Sequence, residues 1–153
     1  MFSPETQGLV YLDDGSEPLR RLFVISAGNV LAHERDHLSR SDLDSVEDPA
    51  QAWNALTVGA STGLVDIQDP QWQHWQPLAR PGELSPHSRT SVRFRPPWPN
   101  KPDVVAEGGN VGVNLAGEFN EAIDDLRLLT THYRPHEKQF VTTFGTSAAC
   151  AQV

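Results

Sequence analysis

The chain has 153 residues, and its 38% hydrophobic content suffices for the core of one domain or of part of a larger one. Its formal net charge of -8 argues against a nucleic-acid partner, because phosphate binding needs a basic surface. Cys150, the one cysteine, cannot form an internal disulfide, and no apolar stretch reaches the length of a membrane span. We therefore expect a cytoplasmic protein without membrane contact.

Four segments in the first two thirds of the chain favour strands. Residues 22–25, Leu-Phe-Val-Ile, predict a strand buried on both faces, as parallel sheets require. Residues 55–60 and 103–106 predict two further buried strands, and the alternation over residues 91–95 is typical of a half-exposed strand. Because these strands alternate with turns and helical pieces, the pattern predicts an α/β layered fold.

Two later stretches carry helical signals. Residues 118–129 place their apolar side chains close to helical spacing. Residues 140–143 favour an extended segment, which a tight turn at Gly145 joins to a helix of small residues. Ser147 then lies at a helix N-terminus, where the helix dipole favours developing negative charge. This arrangement presents a nucleophile, although a serine there is also typical of a simple helix cap.

A short motif in the polar segment 30–48 matches the H-E-x-x-H pattern of zinc peptidases. That pattern needs a helix that turns both histidines, here His33 and His37, toward one metal, together with a third ligand. The polar flanks favour a solvated loop with one helical turn, and His132 and His136 are also expected at the surface. We predict no metal ligand set and no cofactor.

Four parts of the chain, in this order, resemble the subtilases, the subtilisin-like serine peptidases. Residues 24–29, Val-Ile-Ser-Ala-Gly-Asn, are similar to the strand that ends in the oxyanion asparagine, and residues 54–60 to the strand after it. Residues 85–90 with 101–108 are similar to the Ser-Ser-Arg-Gly and Lys-Pro-Asp-Val-x-Ala-Pro-Gly elements. Residues 145–149, Gly-Thr-Ser-Ala-Ala, resemble the nucleophile motif. Together they cover the chain from about residue 21 to its end.

The resemblance implies both a fold and a chemistry. The fold is part of a three-layer α/β domain with a mostly parallel central sheet, with residues 21–153 as the C-terminal part of the catalytic domain after a lead-in segment at 1–20. Ser147 would attack the scissile carbonyl of a peptide or protein substrate and form an acyl-enzyme. The side-chain amide of Asn29, with the backbone N–H of Ser147, would stabilise the oxyanion. The substrate cleft would be lined by Ser26, Ala27 and Gly28.

The chain also departs from the family pattern. Glu107 stands where proline is usual, and Ser147 is followed by Ala-Ala-Cys-Ala-Gln instead of Met-Ala-x-Pro-His. Residues 48–54 and 106–110 resemble a divergent bacterial branch. Members of that branch are often encoded beside an ATPase. The resemblance therefore makes an ATPase a candidate partner, although no residue of this sequence indicates one.

The general base is not evident in this sequence. In subtilisin-type enzymes the triad order is Asp, His, Ser, which places the base before Asn29. All six histidines follow Asn29, and Asp13 and Asp14 precede it without a strand-end motif. A serine without a base is a poor nucleophile. We therefore expect a catalytic-domain fragment, truncated at both ends, that lacks the catalytic Asp and His and is inactive alone.

Three functions stay open at this point. The first is a serine endopeptidase of the subtilase family, and the second is a non-catalytic subtilase-like module that binds peptides. The upstream sequence distinguishes these two, because only the first needs the Asp and the His. The third is a zinc metallopeptidase through His33, Glu34 and His37, which would require stoichiometric zinc binding.

Overall fold

The computed structural model describes residues 22–153, and the lead-in segment predicted at 1–20 lies outside this part. Its strands are β1 (Phe23–Ser26), β2 (Ala55–Thr62), β3 (Gln76–Pro77), β4 (Glu83–Leu84), β5 (Val104–Glu107), β6 (Gly112–Val113), β7 (Phe119–Asn120), β8 (Leu128–Thr131) and β9 (Phe140–Thr143). Its helices are α1 (His37–Leu43) and α2 (Thr146–Cys150), with 3-10 turns at Pro70–Trp72 and Asp124–Leu126. None of the helices described is long and apolar enough to cross a bilayer.

The central sheet is mixed, with β2 in its middle. β1 and β5 both run parallel to β2, with Phe23 opposite Ala55 and Val58 opposite Val104. The short β4 pairs antiparallel with the end of β2. The prediction of an α/β fold is thus confirmed, whereas a mostly parallel sheet is realised only in β1, β2 and β5. Two small antiparallel groups, β3-β6-β7 and β8-β9, complete the described strands.

α2 covers one face of this sheet. Ala149 is fully buried and packs against Val58 and Ala60 of β2, with Ala106 and Cys150 at the edge of the same cluster. Small side chains at each of these positions let the helix lie close to the strands. The predicted sequence of strand 140–143, turn at Gly145 and following helix is confirmed.

A buried lysine fixes the start of β5. Lys101 is 4% exposed, and its Nζ donates to the Ala55 carbonyl at 2.8 Å and to Asp103 Oδ2 at 2.6 Å. The same Asp103 oxygen accepts the backbone N–H of Thr57 at 2.7 Å. A buried ammonium needs such partners because desolvation of an unpaired charge is very costly. The Lys-Pro-Asp segment therefore locks β5 onto β2.

Asn110 joins three loops in the interior. Its Oδ1 accepts the N–H groups of Ala79 and Val111, at 3.1 Å and 2.9 Å. Its Nδ2 donates to the carbonyls of Leu64 and Ala79, at 3.0 Å and 2.9 Å. The side chain is 1% exposed, so both acceptor positions and both donors of the amide are used inside the protein.

The helix predicted from residues 118–129 is wrong. This stretch forms β7, a 3-10 turn and the start of β8. Ile123 and Leu126 are buried as the spacing suggested, but Leu129 is 70% exposed. β7 pairs with β6, and the Asn120 side chain accepts the N–H of Ala122, so strand pairing and a side-chain turn replace the helical hydrogen bonds.

Two strand predictions also need correction. Residues 91–95 form turns and no strand; the Phe94 N–H donates to the Ser91 carbonyl at 2.8 Å. β1 exists, but among the described residues it is not covered on both faces, since Leu22 and Val24 are 72% and 37% exposed. The alternation of polar and apolar residues and the apolar runs indicate only the local preference of the backbone for an extended conformation. Burial depends on which elements pack against the strand.

The Asn110 network leads to a stability prediction. Asn110→Asp replaces two donors with an oxygen that faces the Leu64 and Ala79 carbonyls. We expect the free energy of unfolding to fall by about 3 kcal/mol or more, because each buried group left without a partner costs about 1–3 kcal/mol. Urea denaturation measures this. The matched control Asn100→Asp, on the surface, should change stability by less than about 0.5 kcal/mol. If the two variants lost equal amounts of unfolding free energy, the four hydrogen bonds assigned to the Asn110 side chain would not be what stabilises the fold.

Candidate active site

The ends of three parallel strands meet at the turn before α2. Residue 27 continues β1, with the Ala27 N–H donating to the Val58 carbonyl at 2.9 Å. Beyond β5, the Gly108 carbonyl accepts the N–H of Gly145 at 2.7 Å. Because parallel strands end at the same edge of a sheet, this pairing brings Asn29 and the residues of the turn together.

Asn29 is hydrogen-bonded directly to the start of α2. Its Oδ1 accepts the Thr146 N–H at 2.8 Å and the Thr146 hydroxyl at 3.0 Å. A backbone N–H can only donate, so the atom that faces it must be the amide oxygen. The Nδ2 group of Asn29 is therefore left as a donor, and it has no hydrogen-bond partner within residues 22–153.

Two glycines permit the close approach of these segments. Gly145 has φ +92°, and a Cβ there would lie 2.9 Å from both terminal atoms of the Asn29 amide. Gly28 has φ +93°, and its Cβ would lie 2.7 Å from Glu47 Oε2. A side chain at either position would be strained by the backbone, and at Gly145 it would also collide with the Asn29 amide, which Thr146 holds in place.

Arg89 holds the backbone of Asn29 from the other side. Its Nε donates to the Asn29 carbonyl at 2.8 Å, and its guanidinium pairs with Glu47 Oε1 at 2.9 Å. A third hydrogen bond reaches the Ser45 carbonyl at 3.3 Å. Asn29 also forms an isolated antiparallel bridge with Ser88. The side chain and the backbone of Asn29 are thus fixed by different partners.

Ser147 follows the buried Thr146 and is exposed. It is the second residue of α2, so its backbone N–H is among those that a helix leaves without an internal acceptor. The hydroxyl of Ser147 and its backbone N–H, which has no acceptor within the helix, therefore lie together at the exposed N-terminus of α2, next to the Asn29–Thr146 contact.

The three residues predicted to line the cleft lie just before Asn29. Ser26 is half-buried at the end of β1, and Gly28 is half-buried in the turn. Ala27 is fully buried and packs against Val46 and Ala50. Ser26 and Gly28 are therefore the accessible residues of this segment.

The H-E-x-x-H segment does not form the helix that zinc peptidases need. α1 begins at His37, so His33 and Glu34 precede it. His33 Nε2 lies 2.6 Å from Glu121 Oε1, whereas His37 Nε2 lies 3.8 Å from Glu83 Oε2. The two rings thus face different carboxylates, and the zinc-peptidase alternative through His33, Glu34 and His37 is without structural support.

Burial alters the acidity of two histidines. Desolvation and, to a smaller extent, the proximity of His33 together lower the pKa of His87 to about 4, although Glu121 opposes the shift. Desolvation also lowers the pKa of His37. The His87 ring is thus neutral at pH 7, and it stacks on Phe144 with ring centroids 4.6 Å apart.

The comparison with protein families agrees with this geometry. The model of the subtilase family matches residues 3–153. The chain belongs to the subtilase family. Comparisons with curated proteins and with solved structures gave no match. The resemblance seen in the sequence is thus confirmed, and the family is one of serine peptidases that act on proteins or peptides.

The sequence did not reveal what three side chains at this site contact. Thr146 orients the Asn29 amide, Arg89 holds the Asn29 backbone, and Glu107 accepts the N–H groups of Gly63 and Gly109 with its carboxylate. Glu107 therefore has its own structural role where the family pattern has proline. All three residues lie in segments that resemble the family, 85–90, 101–108 and 145–149, and this location was the available signal.

The hydrogen bonds of Asn29 can be tested by stability. Asn29→Ala leaves the buried N–H and hydroxyl of Thr146 without an acceptor, so we expect a loss of about 2 kcal/mol or more in unfolding free energy. Asn29→Asp retains an oxygen acceptor and should lose less than half as much. Urea denaturation compares both with the surface control Asn54→Ala. If the Ala and Asp variants are equally destabilised, the contact with Thr146 is not what Asn29 contributes.

Proposed function

We propose that this chain carries the nucleophile and the oxyanion residue of a serine endopeptidase that works through an acyl-enzyme. Ser147 attacks the carbonyl carbon of the scissile peptide bond, and the C–N bond of the tetrahedral intermediate then breaks. Water releases the acyl group in the second half of the cycle. The proposal rests on one observation: the backbone N–H of Thr146, the residue before the exposed Ser147, donates a hydrogen bond to Asn29 Oδ1.

The oxyanion is stabilised by two donors. The Nδ2 group of Asn29 has no hydrogen-bond partner in the described part of the chain, and the N–H of Ser147 lies in the first turn of α2, where a helix supplies no acceptor. A neutral amide supplies a fixed hydrogen bond without a charge that needs its own solvation. In subtilisin, itself a family member, loss of one oxyanion donor lowers kcat by about 10²–10³.

The general base comes from outside the described residues. The described histidines that form contacts are engaged elsewhere: His33 and His87 with Glu121, His37 with Glu83, His132 with the Arg134 backbone, and His136 with Glu137. The triad order of the family places Asp and His before the oxyanion asparagine. We propose that the complete protein supplies both, and that this sequence is the C-terminal part of its catalytic domain.

The remaining features of the proposal follow from family membership. The parallel strands β1, β2 and β5 would form part of the mostly parallel central sheet of a three-layer domain. Peptide substrates would bind along Ser26 and Gly28, which flank the buried Ala27 and whose small size leaves room. We also predict that the protein belongs to the divergent bacterial branch, whose members are often encoded beside an ATPase. This prediction rests on resemblance alone.

A fluorophosphonate probe tests the assignment of the nucleophile. The full-length protein, with the segment that precedes this sequence, should be labelled, because the probe reacts with a serine activated by a base. Ser147→Ala should abolish the labelling, and Ser39→Ala, a matched exposed serine on α1, should leave it unchanged. The 153-residue chain alone should react poorly. Absence of labelling in a folded full-length protein, or labelling that survives in Ser147→Ala, would overturn the proposal and favour a peptide-binding module.

A further inference from the structure

Two histidines and a glutamate from three distant segments meet next to the active-site turn. His33 follows β1, His87 follows β4, and Glu121 follows β7. Glu121 Oε1 lies 2.6 Å from His33 Nε2 and 3.8 Å from His87 Nδ1. One ligand atom from each of the three residues lies within 4.8 Å of the other two. We propose that His33, His87 and Glu121 form a binding site for a zinc ion.

Burial distinguishes this cluster from surface histidines. The side chains of His33 and His87 are 7% and 1% exposed, whereas Glu121 is 45% exposed. The two rings stand edge to face, with centroids 5.3 Å apart. The imidazoles therefore lie in the protein, and the carboxylate borders solvent on the side from which an ion can enter.

The ring nitrogens of the two histidines can serve as metal ligands. His33 Nδ1 and His87 Nε2 are buried, and neither has a hydrogen-bond partner in the described part of the chain. His33 Nε2 forms a 2.6 Å hydrogen bond with Glu121 Oε1, in which the ring donates because a carboxylate oxygen accepts. A zinc ion would replace that hydrogen, which moves to the outer nitrogen His33 Nδ1 or to solvent, so that lone pairs of both rings and of the carboxylate face the metal.

The donor types select the ion. Two imidazoles and one carboxylate suit Zn²⁺, whereas Ca²⁺ and Mg²⁺ prefer oxygen ligands. Tetrahedral zinc with ligands at about 2.0–2.2 Å has ligand atoms roughly 3.3 Å apart. The separations of 2.6 Å and 3.8 Å lie on either side of that value, and no two of the three ligand atoms are more than 4.8 Å apart, so side-chain shifts of about 1–1.5 Å would suffice. Three protein ligands leave the fourth position to water.

The ion would join the segments that build the active site. The His87 carbonyl accepts the N–H of Val30, the residue after Asn29, at 2.9 Å. The His87 ring stacks on Phe144, the residue before Gly145. Zinc at this cluster would therefore link the segment after the proposed oxyanion asparagine to the turn before the proposed nucleophile. It is separate from the catalytic chemistry of Ser147.

Zinc binding to the chain tests this site directly. Isothermal titration of the metal-free chain with ZnCl₂ should give one equivalent bound, and the midpoint of thermal unfolding should rise because zinc binds the folded state. Glu121→Gln changes a half-exposed side chain and should weaken binding by more than about tenfold, a loss that even second-shell changes reach. His87→Phe keeps an aromatic ring against Phe144 but removes the ring nitrogens, and it should also weaken zinc binding by more than about tenfold. Co²⁺ in place of zinc should give the visible absorption of a tetrahedral site.

The matched control is His136→Asn, which removes an exposed histidine outside the cluster. It should bind zinc as the wild type does. Absence of a bound equivalent in the wild type would mean that the cluster is only a hydrogen-bonded His–Glu pair. Binding that survives in Glu121→Gln, or that is lost in His136→Asn, would place the metal elsewhere. Each of these results would overturn the proposal.

Discussion

The hydrogen bonds from Thr146 to the Asn29 side chain are the contact on which the site depends. They join residues 117 positions apart in sequence, at the end of β1 and the start of α2. They also decide which atom of the amide remains available, because the oxygen is used and Nδ2 has no hydrogen-bond partner among residues 22–153. One contact therefore joins the two segments and determines which amide atom remains as a donor.

The surrounding structure keeps that contact in place. Gly28 and Gly145 allow backbone at positive φ, and a side chain at Gly145 would collide with the Asn29 amide. Arg89 fixes the Asn29 carbonyl, and the Gly108 carbonyl binds the N–H of Gly145. These partners come from separate loops, so the site is assembled by the fold rather than by one local motif. Preorganised donors of this kind are what oxyanion stabilisation needs.

The sequence predicted the parts of the fold whose signals are local. β2, β5, the strand before Gly145 and the helix after it all follow from apolar runs and turn residues. The predicted helix at 118–129 failed because β6 pairs with β7, a contact that residue spacing does not encode. The motif order identified Asn29 and Ser147 as candidates, but the role of Thr146 needs the geometry of the packed sheet. The cluster of His33, His87 and Glu121 was missed because its three residues have no regular spacing, and the local H-E-x-x-H pattern pointed to His37 instead.

A crystal structure of an inhibitor complex would show whether Asn29 and Ser147 act on one oxyanion. In the full-length protein with a phosphonate bound to Ser147, it would locate the phosphonyl oxygen, which mimics the oxyanion. We expect this oxygen to lie about 2.7–3.1 Å from both Asn29 Nδ2 and the backbone nitrogen of Ser147, with Asn29 Oδ1 still accepting from Thr146. A phosphonyl oxygen that points away from Asn29, or an adduct on another residue, would show that the two residues do not act on one oxyanion.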